Sequence, residues 1–233
     1  FRRVLFRSHQ GRNQSGCFVS SFPAQHPTMH YAIPTLSTPD IYRLLTGGVV
    51  PRPIAWVSTR SSQGVDNLAP FSFFTVVSVQ PPVLAVVQVN PSNRPAKDTL
   101  ANLRATKECV VNVVTQDLLD AMNATATEYP PEISEFDAAA IARSTSQWVT
   151  PPGVQDAQVR YECRLRDVLV LADTPMGGSM MLLDVIGVSV NDNLLRNGML
   201  APALVDAVGK LGGDLYSTTR EQNERQRPVL SAK

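Results

Sequence analysis

Histidine is scarce in this chain: among 233 residues only His9, His26 and His30 occur, all within or beside the first 28. The body therefore cannot build a Ser-His-Asp triad, a Cys-His pair, a HExxH zinc site or histidine-based proton transfer, which excludes the usual hydrolases. Cysteine is sparse too. Cys17, Cys109 and Cys163 are odd in number and form no CxxC, and the last two sit in apolar strand-like runs, so they read as buried thiols in a reducing cytoplasm. No stretch offers the roughly 18 uninterrupted apolar residues of a membrane-spanning helix. No GxGxxG follows a strand, and the glycines at 47–48 and 209–213 do not make GxxxxGK[ST], so both familiar nucleotide loops are missing. An enzyme with these gaps depends on a bound cofactor for its reaction.

Charge of one sign is also lacking. Lys+Arg 21 against Asp+Glu 20 gives +1, yet Arg2, Arg3, Arg7 and Arg12 lie in an acid-free leader, and without residues 1–28 the balance is 17 basic against 20 acidic. Such a body has no electrostatic footprint for nucleic acid. The leader has no apolar period and resembles either an organelle transit peptide or sequence ahead of a start at Met29. It is set apart from a single domain over residues 29–233.

From Met29 the pattern is one of short strand-like segments between Pro, Gly and Asn turns: residues 53–59, 71–79, 83–90, 109–114, 159–171 and 180–190, about six strands. Val159, Tyr161, Cys163 and Leu165 alternate with Arg160, Glu162 and Arg164, which predicts one buried and one wet face in an antiparallel sheet or barrel wall. Helices are expected at 39–45, 99–107 after Asp98 as cap, 117–125 and 202–208. They do not alternate strictly with strands, which argues against a doubly wound sheet and for a closed or nearly closed β-barrel decorated by helices. Pro130-Pro131 and Pro151-Pro152 bracket an insertion, either a solvated loop or a substrate lid.

Two constellations could carry chemistry. Ser58, Thr59, Asn67 and Ser72 stand among Trp56, Phe71, Phe73 and Phe74, a mixture that suits a flat heteroaromatic ring with a polar edge and equally a hairpin with aromatic core and polar turn. The second runs from Asn93 to Thr99 and opens a helix continuing through Arg104. Lys97, Thr99 and Arg104 at a helix start suit a phosphate, with Asp98 tolerable only while capping the helix; a capped surface helix with solvated charges fits the same residues.

Taken together, LLTGGVVPRPIAWVST (44–59), NLAPFSFF (67–74), VSVQPP (77–82), KDTLANLRAT (97–106), MNATA (122–126) and GKLGGDLYSTTRE (209–221) resemble the flavin reductase-like, FMN-binding split-barrel family, in its flavoredoxin-like branch. The resemblance spans residues 42–221. It implies an all-β to α+β fold: a six-stranded antiparallel split β-barrel on a Greek-key path with peripheral helices, forming a homodimer with one FMN per subunit near the dimer interface. By position, it implies that Asn67, Leu68, Ala69, Pro70, Phe71, Ser72, Phe73 and Phe74 line the isoalloxazine. Ser58 and Thr59 then run beside ribityl and ring, Lys97, Asp98 and Thr99 form the phosphate side with Arg104 as a basic neighbour, and Tyr216 approaches the ring or the partner subunit.

The activity implied is hydride transfer from NAD(P)H to flavin, with no catalytic side chain and no metal, and the reduced flavin available to a monooxygenase partner. Two other uses of the same barrel stay open: a non-enzymatic FMN-binding electron carrier and a pyridoxamine-phosphate-oxidase-like amine oxidase.

Overall fold

The computed structural model describes residues 28–91 and 97–228. Seven strands share one sheet: β1 (Ala55–Arg60), β2 (Asp66–Phe71), β3 (Phe74–Val79), β4 (Pro82–Val89), β5 (Glu108–Val113), β6 (Val159–Val170) and β7 (Gly178–Val190). Their order is β2-β1-β5-β6-β7-β4-β3, with every neighbouring pair antiparallel. The two edge strands, β2 and β3, are consecutive in the chain. Only Ser72 and Phe73 separate them, and Val87 N donates to Phe73 O at 2.8 Å. They are thus halves of one extended stretch that pairs first with β1 and then with β4, which closes six walls into a barrel and accounts for seven strands where six were expected.

Strand β2 begins at Asp66, upstream of the expected start at Phe71, because Pro70 masks it in the sequence. Proline survives in a strand only where its nitrogen faces away from the ladder. The flanking geometry meets that condition: Leu68 N leaves the sheet and donates to Glu135 at 2.9 Å, so residues 67, 69 and 71 face β1 and residues 68, 70 and 72 turn their main-chain groups outward.

Two apolar clusters flank β1. Ala55 and Val57 point into the barrel with Phe71, Leu84, Val86, Cys109, Val111, Cys163, Met181 and Leu183, while Ile54 and Trp56 point outward to Leu68, Val114, Met122, Phe136 and Val208. Burial on both faces explains why 53–59 reads as a continuous apolar run without alternation. Of the helices, α1 (Thr38–Gly48) is capped by Ser37, whose side chain accepts from Asp40 N. Helix α2 (Asp98–Thr106) inserts Leu100 and Leu103 into the barrel cluster. Asp98 occupies the first turn of α2, and the N-cap position falls on Lys97, which makes no side-chain cap bond; the expected Asp98 cap is corrected accordingly. The expected helix at 117–125 is a 3-10 turn, Gln116–Leu118, followed by α3 (Leu119–Ala124).

The segment between the proline pairs is pinned to the barrel at Ser134, Glu135 and Phe136, which are buried, while most of its other residues are exposed. Its short helix α4 (Glu135–Ala138) buries Phe136 in the outer cluster. The alternation expected in β6 holds for Tyr161, Cys163 and Leu165, which pack inward, but Glu162 is buried, not wet. Its carboxylate accepts the N–H groups of Gln147, Trp148 and Val149, a set of charge-assisted bonds that offsets its removal from water.

The chain divides into two units, Phe1–Leu36 and Ser37–Lys233. The described part of the first holds one 3-10 turn, Ile33–Thr35, and every element above belongs to the second. The expected leader lies outside the described residues apart from Thr28, as do Cys17 and the Asn93 to Ala96 part of the expected phosphate loop. Cys109 and Cys163 are buried and free. Among the described residues no helix is long and apolar enough to cross a membrane.

Candidate functional site

The outward edge of β2 is the starting point. Beyond Leu68, whose N–H is taken by Glu135, Pro70 has no N–H to satisfy, and by the alternation of the strand the main-chain groups of Pro70 and Ser72 point away from β1. A cavity of about 490 Å³ lies there, lined by Pro70, Phe71, Ser72, Phe73, Val87, Val89, Lys97, Tyr42, Glu128 and Met176 among others. Its size falls within the roughly 300–1,000 Å³ of small-molecule sites.

Two smaller cavities share its wall. One of about 70 Å³ runs from Pro70 past Asn67, Ala69 and Thr99 to Thr125, Thr127 and Glu135. The other, about 240 Å³, shares Pro70 and Ser72 and adds Met122, Asn123, Lys210 and Tyr216. Together they trace a cleft along residues 67–73.

The structure brings Asn67, Ala69, Pro70, Phe71, Ser72, Phe73, Lys97, Asp98, Thr99 and Tyr216 to this cleft. Asn67 donates from Nδ2 to Glu135 at 3.2 Å and accepts from Thr99 Oγ1 at 3.4 Å, so its side chain is tied to α4 and α2. Thr99 is fully buried. The Lys97 ammonium sits 5.9 Å from the Phe71 ring centroid, and the Tyr216 hydroxyl donates to Asn123 at 3.1 Å beneath the Lys210 ammonium, 3.9 Å above its ring.

Other expected residues stand apart from the cleft. Ser58 is fully buried and donates to Pro152 O, and Thr59, equally buried, accepts from Asn102 Nδ2 at 3.1 Å; both anchor neighbouring segments. Leu68 and Phe74 pack into the outer and inner clusters. Arg104 is exposed on α2 and lines none of these three cavities.

The sequence reading missed four contributors. Glu135, from the segment between the proline pairs, holds β2 by two hydrogen bonds, and desolvation by burial raises its pKa above the ordinary glutamate value. Thr125 and Thr127 follow α3 and line the cleft; Thr125 accepts from the buried Trp56 indole at 2.8 Å. Arg52 supports the wall through Ser72, and its position between two prolines in a hydrophobic run was the available signal. Among the described residues no cluster of His, Cys, Asp and Glu could hold a metal ion.

Residues 47–220 match the family model described as "Flavin reductase like domain". A protein of Aquifex aeolicus is 38% identical over 189 residues, covering 81% of this chain and 94% of its own length. Among solved structures, nitrilotriacetate monooxygenase component B from Bacillus cereus superposes with a TM-score of 0.82 at 29% identity, covering 86% of this chain and 100% of that one. The 2-nitrobenzoate 2-nitroreductase NbaA of Pseudomonas fluorescens gives 0.78 at 27%, covering 88% and 99%. Sequence match and barrel closure agree across the whole of the second unit's core, and the chain belongs to the flavin reductase-like domain family.

Proposed function

We propose that this chain is an FMN-dependent flavin reductase, passing hydride from NAD(P)H to flavin in the cleft along β2. The observation that carries the reading is the open edge at Pro70 and Ser72, facing a cavity of about 490 Å³ with Phe71, Phe73 and Val87 in its walls. Outward main-chain groups suit the polar edge of a flat heterocycle, and apolar side chains suit its faces. Lys97, at the start of α2, is the natural partner of a phosphate there. FMN, when bound, supplies the two-electron chemistry. The chain's part is to orient the reactants, exclude water with Pro70, Phe73 and Val87, and hold the ring edge by hydrogen bonds. With no histidine after residue 30, the reading asks no side chain to act as general base.

A homodimer is part of the proposal. Val76, Val77 and Val79 on β3, Leu169 and Val170 on β6, and Ile186 and Val188 on β7 are large apolar side chains exposed in the single chain, more than scattered surface residues require. A monooxygenase that consumes reduced flavin is the proposed downstream partner, in keeping with the component B relative.

The test is an absorption spectrum of purified protein reconstituted with FMN, followed by anaerobic addition of NADH and then NADPH. Stoichiometric uptake and bleaching by either nucleotide support the proposal. Failure to take up FMN overturns the site; uptake without bleaching by either nucleotide overturns the reductase activity and leaves an electron carrier.

A further inference from the structure

Arg52 is a buried cation without a buried anion. It lies on the two-residue strand Arg52–Pro53, in register with Lys210 of Gly209–Lys210, and is only 6% exposed. Its Nη1 donates to Thr46 O and, at 2.8 Å, to Val49 O; Nη2 donates to Leu211 O at 2.9 Å; Nε donates to Ser72 Oγ at 3.4 Å. The guanidinium carbon lies 6.0 Å from the Phe73 ring centroid. Among the described residues no carboxylate forms an ion pair with it.

A buried charge without hydrogen bonds is expensive, and one satisfied by neutral acceptors keeps its full formal charge. Here carbonyl dipoles at the end of α1 and in the 209–217 hairpin satisfy the donors, so a net positive charge remains behind Ser72 and Phe73. Those two residues are adjacent wall positions of the main cavity. The same side chain ties α1, the hairpin and the cleft strand together, so charge and shape are set by one group. Lys97 and Lys210 add positive charge at the rims, and Glu128 is the acid lining the main cavity.

We infer that Arg52 is a positioning residue that fixes the Ser72 wall and biases the cleft toward an anionic occupant, so that bound flavin is favoured in its reduced, anionic form over its oxidised form. The inference rests on the flavin reading of the cleft and extends it by naming the residue that sets redox preference.

The experiment compares wild type, Arg52→Gln and Arg52→Lys, measuring dissociation constants for oxidised FMN and, anaerobically, for dithionite-reduced FMN. Arg52→Gln is expected to lose at least about tenfold of the preference for reduced FMN, equivalent to about 30 mV for a two-electron couple. Arg52→Lys should retain most of that preference while melting at lower temperature, because an ammonium cannot span the same four acceptors. An Arg52→Gln protein that binds oxidised FMN like wild type with an unchanged preference overturns the inference alone. Wild type that takes up no FMN overturns the site reading and this inference with it. Should Arg52→Gln fail to fold, the wild type decides: its bound reduced flavin must become anionic at a lower pH than free reduced FMN, by spectrum, and an equal or higher pH overturns the inference.

Discussion

Replacing Glu135 tests how far the segment between the proline pairs holds the cleft strand. Its Oε2 accepts Leu68 N at 2.9 Å and Asn67 Nδ2 at 3.2 Å, and both donors are buried. Glu135→Ala strands two donors, each costing about 1–3 kcal/mol if left dry. The adjacent cavity lined by Asn67 and Glu135 admits water, which lowers the total to about 2–4 kcal/mol by partial re-satisfaction. Glu135→Gln keeps an oxygen acceptor and removes a buried charge, so it should stay within about 1 kcal/mol of wild type at pH 7. The pH dependence sharpens this. Desolvation, reinforced by Asp98 and opposed by the bonds from Leu68 and Asn67, raises the Glu135 pKa. The folded state therefore holds this proton more tightly than the unfolded chain. Its contribution to stability is complete below the ordinary glutamate value and is lost as pH rises through the folded value. Urea unfolding of the three proteins across that window is the assay. Equal damage from Ala and Gln, or a wild-type pH slope that Gln leaves intact, refutes the reasoning.

Lys97→Ala should weaken FMN binding by about 1–3 kcal/mol through loss of a charge-assisted phosphate contact, read by flavin fluorescence quenching; unchanged affinity moves the phosphate elsewhere. Gly187→Ala would put a Cβ 2.0 Å from the Trp148 ring and should cost about 1–3 kcal/mol by overpacking. Because Trp56 is fully buried, a red shift of tryptophan emission in that variant, abolished by Trp148→Phe, reports the displaced ring. For Glu108, desolvation is outweighed by hydrogen bonds from Thr150 and the charge of Arg164, and its pKa is lowered. Its stabilisation is present above the ordinary value and lost as pH falls through the folded one, so Glu108→Gln should flatten the acid limb of the unfolding curve.

Periodicity made the barrel legible wherever one wall served one face, as in Tyr161, Cys163 and Leu165, and motif spacing made Asn67 to Phe73 legible as the cleft strand. What stayed hidden depends on distant partners. Glu162 occupies a position that alternation assigns to water, and only the N–H groups of 147–149 explain its burial. Pro70 disguises β2 because no local rule reveals which side of a strand lacks a neighbour. Glu135 is separated from Leu68 by 67 positions, and no spacing rule links them. Arg104 lies exposed on α2 away from the three cavities, a placement that a helix start alone cannot fix.

The junction at Ser72 and Phe73 is a seam in the barrel, where one stretch of chain hands its pairing from one neighbour to the other. A guest seated against that seam acts as a clasp, so its departure should loosen the whole cylinder and not merely empty a hollow. Amide exchange at Val76–Val79 of β3, which line none of the three cavities, ought then to slow when the clasp is fastened.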